Sequence, residues 1–224
     1  MRVQFVLISE GSSDNGLISH LESVCIYAGA DEARGIALDR QRLPPSVGNK
    51  VSDKLRAAMI LEPQANLFLI HRDSDAPDPQ LRYEEVRQAV NECQLQKPWV
   101  AIIPIQETEA WLLLDESAIR RIASKPNGTK PLGLPTADTV ENESSPKERL
   151  KQAIFDANPV AGRRHEKLKR DFPTHRQILL QGLSIDGAIR NVPSWQRMKA
   201  DLTAAVAATA ENGSSPTSEA LIAL

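Results

Sequence analysis

Only two cysteines, Cys25 and Cys93, occur in 224 residues. A disulfide scaffold or a cysteine zinc site is therefore excluded, and both thiols fall in segments of helical apolar spacing, where free cysteine behaves as a small apolar side chain. Aromatic residues number nine, which leaves little from which to build base-stacking platforms. Trp99, Trp111 and Trp195 all lie in apolar periodic stretches and read as core or interface anchors. The longest apolar runs, such as residues 5–8 and 100–105, fall far short of the roughly 20 residues that cross a bilayer. The apolar stretch at 3–8 is also too short for a signal peptide and runs into Ser9-Glu10-Gly11 rather than a small-residue cleavage site, so a cytoplasmic location is expected. There is no basic excess: 27 Lys and Arg against 29 Asp and Glu give a net charge of −2. No Gly-x-x-x-x-Gly-Lys-Ser/Thr loop is present, so the chain has no P-loop of its own for ATP.

What is present is an ordinary globular composition, 41% hydrophobic and 25% charged, able to bury a core. Residues 2–9 are rich in Val, Ile, Leu and Phe and do not alternate, as suits a strand covered on both faces. The turn Glu10-Gly11-Ser12-Ser13 follows, and Leu17, Leu21, Val24, Cys25 and Ala28 then recur at helical spacing, with Ser12 or Ser13 available as N-cap. A weaker extended segment at 36–43 precedes a helix at 51–61 that ends near Pro63. A third strand at 66–71 stops at Arg72-Asp73-Ser74-Asp75-Ala76-Pro77, and a third helix covers about 80–94. Residues 99–105 form a fourth buried strand, after which Glu107-Thr108-Glu109-Ala110-Trp111 reads as a helix opening with carboxylates. Four strand-then-helix units indicate an α/β fold with a mostly parallel four-stranded sheet flanked by helices. The expected division is an α/β domain at 1–123, a Pro/Gly-rich loop or arm at 124–146, a C-terminal α-helical region at 147–210 packed on the sheet, and a mobile tail at 211–224.

Charge is unevenly placed. Residues 71–116 hold four basic against ten acidic side chains, whereas 147–176 hold nine basic against four acidic. The acids fall where strands end: Glu10 after the first, Asp73 and Asp75 after the third, Glu107 and Glu109 after the fourth. Open parallel sheets bind ligands at the carboxyl ends of their strands. Carboxylates packed together repel unless they share protons or a cation, and Mg²⁺ (or Mn²⁺) suits a set of carboxylates without His or Cys. Two such ions would provide the arrangement of two-metal phosphoryl chemistry. Beside this acidic centre, Lys147, Arg163, Arg164, Lys167, Lys169 and Arg170 form a basic helical region able to contact phosphates.

Each piece also has a plainer reading. Asp-x-Asp is common in turns and caps, Glu107 and Glu109 complement a helix dipole, and basic helix faces are often only solvated. Asp14 is expected to be exposed in the first helical turn, and His71 and His165 are expected to be structural histidines that could also assist proton transfer.

Glu10-Gly11-Ser12-Ser13-Asp14 after a first strand, followed by His71-Arg72-Asp73-Ser74-Asp75 after a later one, resembles the Toprim domain of type IA and II topoisomerases, bacterial primases and nucleases of the overcoming-lysogenization-defect type. With Gln106-Glu107-Thr108-Glu109-Ala110-Trp111-Leu112-Leu113 and Ser145-Pro146-Lys147-Glu148, the pattern is similar, up to about Leu202, to a stand-alone Toprim-like family of prokaryotic proteins of uncharacterised function. The resemblance implies a Toprim, Rossmann-like sheet with Glu10 as a general acid or base and metal ligand. It implies Asp73 and Asp75 as metal ligands, with Asp14, Glu107 and Glu109 completing the metal site. It further implies a Mg²⁺-dependent nuclease acting on DNA or RNA, an ABC- or AAA-type ATPase as partner, and a role in anti-phage defence; a homo-oligomer is compatible with it. Ser9 departs from the pattern, where Val is usual. Tyr27 and Tyr83, the two tyrosines, both lie in helical segments, so cleavage would use water rather than a protein nucleophile. Two other functions fit the same residues: a non-catalytic Toprim module that binds or regulates, and a small-molecule Mg²⁺ phosphohydrolase.

Overall fold

The computed structural model describes residues 1–45, 47–160 and 162–213. Strands β1 (Arg2–Ile8), β2 (Glu32–Ala37), β3 (Leu67–His71) and β4 (Trp99–Ile102) form one all-parallel sheet in the order β2-β1-β3-β4. Helices α1 (Ile18–Tyr27), α2 (Val51–Leu61) and α3 (Gln80–Cys93) make the three crossovers of this Rossmann-like α/β arrangement. The central strands are largely apolar without alternation because both of their faces are covered: Phe5 to Ile8 and all five residues of β3 are buried. Val3, Phe5, Leu7, Leu67 and Leu69 face α1 and the C-terminal helices, whereas Val6, Ile8, Phe68 and Ile70 face α2 and α3.

The edge strand is where sequence and structure part. β2 lies at 32–37 rather than 36–43, because its register is set by pairing with β1 and its residues are only half-buried, so it carries little apolar signal. Gly35 is required there: a Cβ would overlap the Phe5 ring of the neighbouring strand. The first helix also opens differently. A 3-10 turn over Ser12–Leu17 precedes α1, its N-cap is Gly11, and neither Ser12 nor Ser13 caps it. The single helix expected after Glu107 is two short ones, α4 (Glu109–Leu112) and α5 (Glu116–Ile122), the second capped by Asp115, which accepts a hydrogen bond from the Ala118 amide at 2.8 Å.

Residues 124–145 are irregular apart from a 3-10 turn over Val140–Asn142, yet they lie against the protein, with Leu132 and Val140 buried in the main core. Helices α6 (Pro146–Ala157), α7 (Arg163–Arg170), α8 (Phe172–Gln181) and α9 (Pro193–Gly213) follow. Pro173 in the first turn of α8 explains the break after α7, since its missing N–H is tolerated only there. The expected tail begins inside α9 at residues 211–213, and residues 214–224 lie outside the described residues. Among the described residues no helix is long and apolar enough to cross a membrane.

The C-terminal helices share one core with the sheet. Trp111 and Trp195, both essentially inaccessible, meet edge to face at 5.1 Å, and the Trp111 indole N–H donates to Ser194 Oγ at 3.2 Å. Trp99, at the start of β4, is half-buried against the second core. Cys25 is buried and its thiol is pushed up to about 12, chiefly by burial and secondarily by Glu22, so it stays a protonated apolar filler. If the shared core joins the two regions into one cooperative unit, Trp195→Ala should cost about 3–5 kcal/mol in urea denaturation and lower a single transition. Loss of the helical region in a separate, earlier transition would contradict that.

Candidate functional site at the carboxyl edge of the sheet

Because β2 lies on one side of β1 and β3 on the other, successive crossovers leave the sheet in opposite directions at the β1/β3 boundary, the position where open α/β sheets leave a crevice for ligands. Glu10 stands two residues beyond β1 and Asp73 two beyond β3, on the two sides of this boundary. The exit from β1 is fixed by a residue not singled out in the sequence. Lys54 on α2 is 6% exposed and its ammonium donates to the carbonyls of Ser9 and Glu10, each at 3.1 Å. The loops after β3 and β4 remain bonded to one another: Arg72 N reaches Ile102 O, Ser74 N reaches Pro104 O, and Asp75 N reaches Gln106 O. This pairing holds Asp75 and Gln106 in left-handed conformations, φ 52° and 61°, which Asp tolerates better than most residues.

The six carboxylates do not form one cluster; they divide into an outer and an inner set. On the outside runs a ladder of alternating charge. Arg72 reaches Glu10 at 3.1 Å and Glu85 at 3.4 Å; Arg82 reaches Glu85 at 3.0 Å and Asp75 at 2.6 Å. The terminal acids are open to water, with the side chains of Glu10 and Asp75 46% and 60% exposed. The arginines between them are partly buried, 15% and 27% exposed, and pairs with one end in water contribute about 0–1 kcal/mol each.

Inside is a buried knot around Arg176 of α8. Its Nε donates to Glu109 Oε1 at 2.8 Å, its Nη2 to Asp14 Oδ1 at 2.8 Å, and its Nη1 to the Ser13 carbonyl at 2.7 Å. Asp14, expected to be exposed, is buried: the 3-10 geometry of its turn aims it at α8, and the guanidinium compensates its charge. Burial alone would lower the pKa of Arg176, but Glu109 and Asp14 outweigh it and the guanidinium is held firmly protonated. Breaking one partner of a buried pair costs about 3–5 kcal/mol, since the remaining charge is stranded. Arg176 escaped the sequence reading because a single Arg in an amphipathic helix looks like a solvated residue, and its partners lie far away in the chain.

Asp73 lies between the two sets. Its Oδ1 accepts both the amide and the hydroxyl of Thr108 at 2.9 Å, and Oδ2 takes neither bond. Thr108 is fully buried and its hydroxyl also meets Nε2 of His71 at 3.0 Å. Burial raises the Asp73 pKa above its ordinary value; His71 and the Thr108 hydrogen bond pull it down, and Asp14 and Glu109 add to the rise. The ionised form of this carboxylate is thus penalised by its surroundings, at a position where added positive charge would be favourable. Glu107 has a structural task, accepting the Lys147 amide at 3.0 Å and so capping α6.

On the basic side, no residue of α7 is buried, and it packs on α6 and α8, the two helices whose Lys147 amide and Arg176 side chain touch the site. Among the described residues Arg163, Arg164 and Lys167 enter no ion pair, whereas Lys169 and Arg170 face Glu166 and Asp171. His165 stacks edge to face on Phe155 at 4.7 Å.

The donor chemistry suits a hard divalent cation. Glu10, Asp73 and Asp75 are exposed or half-exposed carboxylates at one edge, and Asp73 carries a burden of negative charge from its neighbours. Among the described residues no three His, Cys, Asp or Glu side chains already stand together at ligating distance, as follows from Glu10 and Asp75 resting on arginines. No protein-family model matches the chain, and no curated protein or solved structure is significantly similar to it.

Two consequences are measurable. A carboxyl group with a raised native pKa binds more protons when folded than when unfolded, so stability falls as pH rises above its ordinary value of 3.8. Asp73→Asn, which keeps the acceptor for Thr108, should therefore melt higher than the parent at pH 7, with the gap closing towards pH 4; a lower melting temperature at pH 7 would refute the burden assigned to this carboxylate. The two arginine settings should also differ sharply: Arg176→Met should cost about 3–5 kcal/mol and Arg82→Met under about 1 kcal/mol in denaturant titrations. Equal costs would contradict the division into buried and exposed sets.

Proposed function

We propose that the protein is a divalent-metal-dependent phosphodiesterase acting on nucleic acid, of the Toprim type its motifs resemble. The observation that carries this reading is the placement of Glu10 and Asp73 on either side of the β1/β3 boundary, with Asp75 two residues beyond Asp73 and the basic helix α7 packed on α6 and α8. Mg²⁺ or Mn²⁺, when bound, would lower the pKa of a coordinated water and stabilise charge on the leaving oxygen. Glu10, Asp73 and Asp75 would hold it, and the arginines Arg72 and Arg82, relieved of their carboxylates, would face the incoming phosphate. Glu10, 46% exposed and across the β1/β3 boundary from Asp73, is suited to take the proton from the attacking water. Thr108 fixes the Asp73 carboxylate from behind, so its orientation does not depend on the ligand.

Lys147 and the α7 cations Arg163, Arg164, Lys167, Lys169 and Arg170 would track the phosphate backbone, a contact without sequence information. Lacking a P-loop, the chain would draw any ATP dependence from an ABC- or AAA-type ATPase partner, as the resemblance implies, and act with it as an anti-phage effector in the cytoplasm. A second reading, a non-catalytic binding module, is favoured by one observation: Asp14 and Glu109 are saturated by Arg176 and Glu107 by a helix terminus, so half of the acids have structural tasks.

Incubation of plasmid DNA and total RNA with Mg²⁺ or Mn²⁺, alone and with a neighbouring ATPase, separates them. Cleavage that is lost in Asp73→Ala/Asp75→Ala is expected; a folded protein that binds its partner and never cleaves would establish the module instead, and turnover of nucleotides alone a small-molecule phosphohydrolase. Replacing Arg164 and Lys167 with Gln should weaken binding across all sequences and reduce the slope of log affinity against log salt by about 2. An unchanged slope would remove α7 from the interface.

A further inference from the structure

We infer that the site takes one divalent ion rather than two, because the guanidinium of Arg176 occupies the oxygen set that a second ion would need. The inference rests on the metal-dependent reading above and revises its stoichiometry. Arg176 is bonded to Glu109 Oε1, Asp14 Oδ1 and the Ser13 carbonyl, at 2.8, 2.8 and 2.7 Å. Two carboxylates and a main-chain carbonyl are ligands of the kind a hard cation uses, and here each already gives one oxygen to an N–H of Arg176. The set is also closed. Asp14, Glu109 and Arg176 are 4%, 3% and 8% exposed, and Mg²⁺ surrenders its waters reluctantly. An ion entering here would displace a guanidinium whose hydrogen bonds, among the described residues, are these three, stranding a buried positive charge beside the incoming one.

The contrast with the outer acids decides where the ion goes. Glu10 and Asp75 have partners, but both acids are open to water, unlike Asp14 and Glu109, and Asp73 keeps Oδ2 clear of Thr108. Charge points the same way: Asp14, Glu109 and Arg176 together carry one net negative charge rather than two, which weakens the pull of the inner set on a cation. Arg176 is a positioning residue here. It does not reach the substrate; it holds Asp14 and Glu109 behind Asp73 and supplies permanently the positive charge that a second metal would bring.

The test counts ions. Mn²⁺ is titrated into the full chain and bound ions are counted by the electron paramagnetic resonance of free Mn²⁺ and by calorimetry, for the parent, Asp73→Asn and Asp14→Asn/Glu109→Gln. One ion per chain is expected in the parent, weakened at least ~10-fold by Asp73→Asn and retained by Asp14→Asn/Glu109→Gln. Two ions in the parent, the second lost in Asp14→Asn/Glu109→Gln, would overturn the inference while leaving the metal-dependent reading standing. No Mn²⁺ bound by the parent would overturn that reading and the inference with it. Should the double variant fail to fold, the count in the parent decides the matter by itself.

Discussion

The buried contact of Arg176 with Asp14 and Glu109 is the constraint on which the candidate site depends. It joins three pieces of chain that local sequence does not bring together: the turn after β1, the start of α4 and the middle of α8. Apolar packing, above all Trp111 against Trp195, brings the C-terminal helices onto the sheet. Such packing tolerates small slides, whereas a guanidinium with three fixed acceptors does not. The ion network therefore sets the register of α8 against the strand ends, and with it the position of Asp73, which lies next to the knot through His71 and Thr108.

From this knot outward the site is graded in exposure, and the grade sorts the carboxylates by task. Buried acids are committed to Arg176; the half-exposed Asp73 is oriented by Thr108 and burdened with negative charge; the exposed Glu10 and Asp75 rest on arginines that water can replace. The penalty on the ionised form of Asp73 in half-buried surroundings is a local cost of the kind that functional sites carry and structural ones relieve.

Much of this was legible in the sequence where the signal was local. The run from Arg2 to Ile8 and the apolar spacing from Val51 to Leu61 lie where the structure has β1 and α2, because covered strands and one-sided helices write their burial directly into residue type. The candidate acids stand out in the sequence because each follows a strand. The rest depended on partners far along the chain. β2 has its register from β1 and carries a weak pattern of its own; Asp14 looked solvent-facing because Arg176 is 162 residues away. Lys54 and Arg176 are buried cations, and no periodicity distinguishes them from the solvated Lys and Arg of ordinary amphipathic helices. Glu107 showed the opposite ambiguity: a helix-start acid was visible, but that it caps α6 rather than its own helix was not.

The most direct measurement is a crystal structure of the full chain with Mn²⁺, examined by anomalous scattering. One peak at the carboxylates of Glu10, Asp73 and Asp75, with Arg176 still bonded to Asp14 and Glu109, is the result this account requires. A peak between Asp14 and Glu109 with Arg176 displaced, or no peak at the strand ends at saturating Mn²⁺, would contradict it.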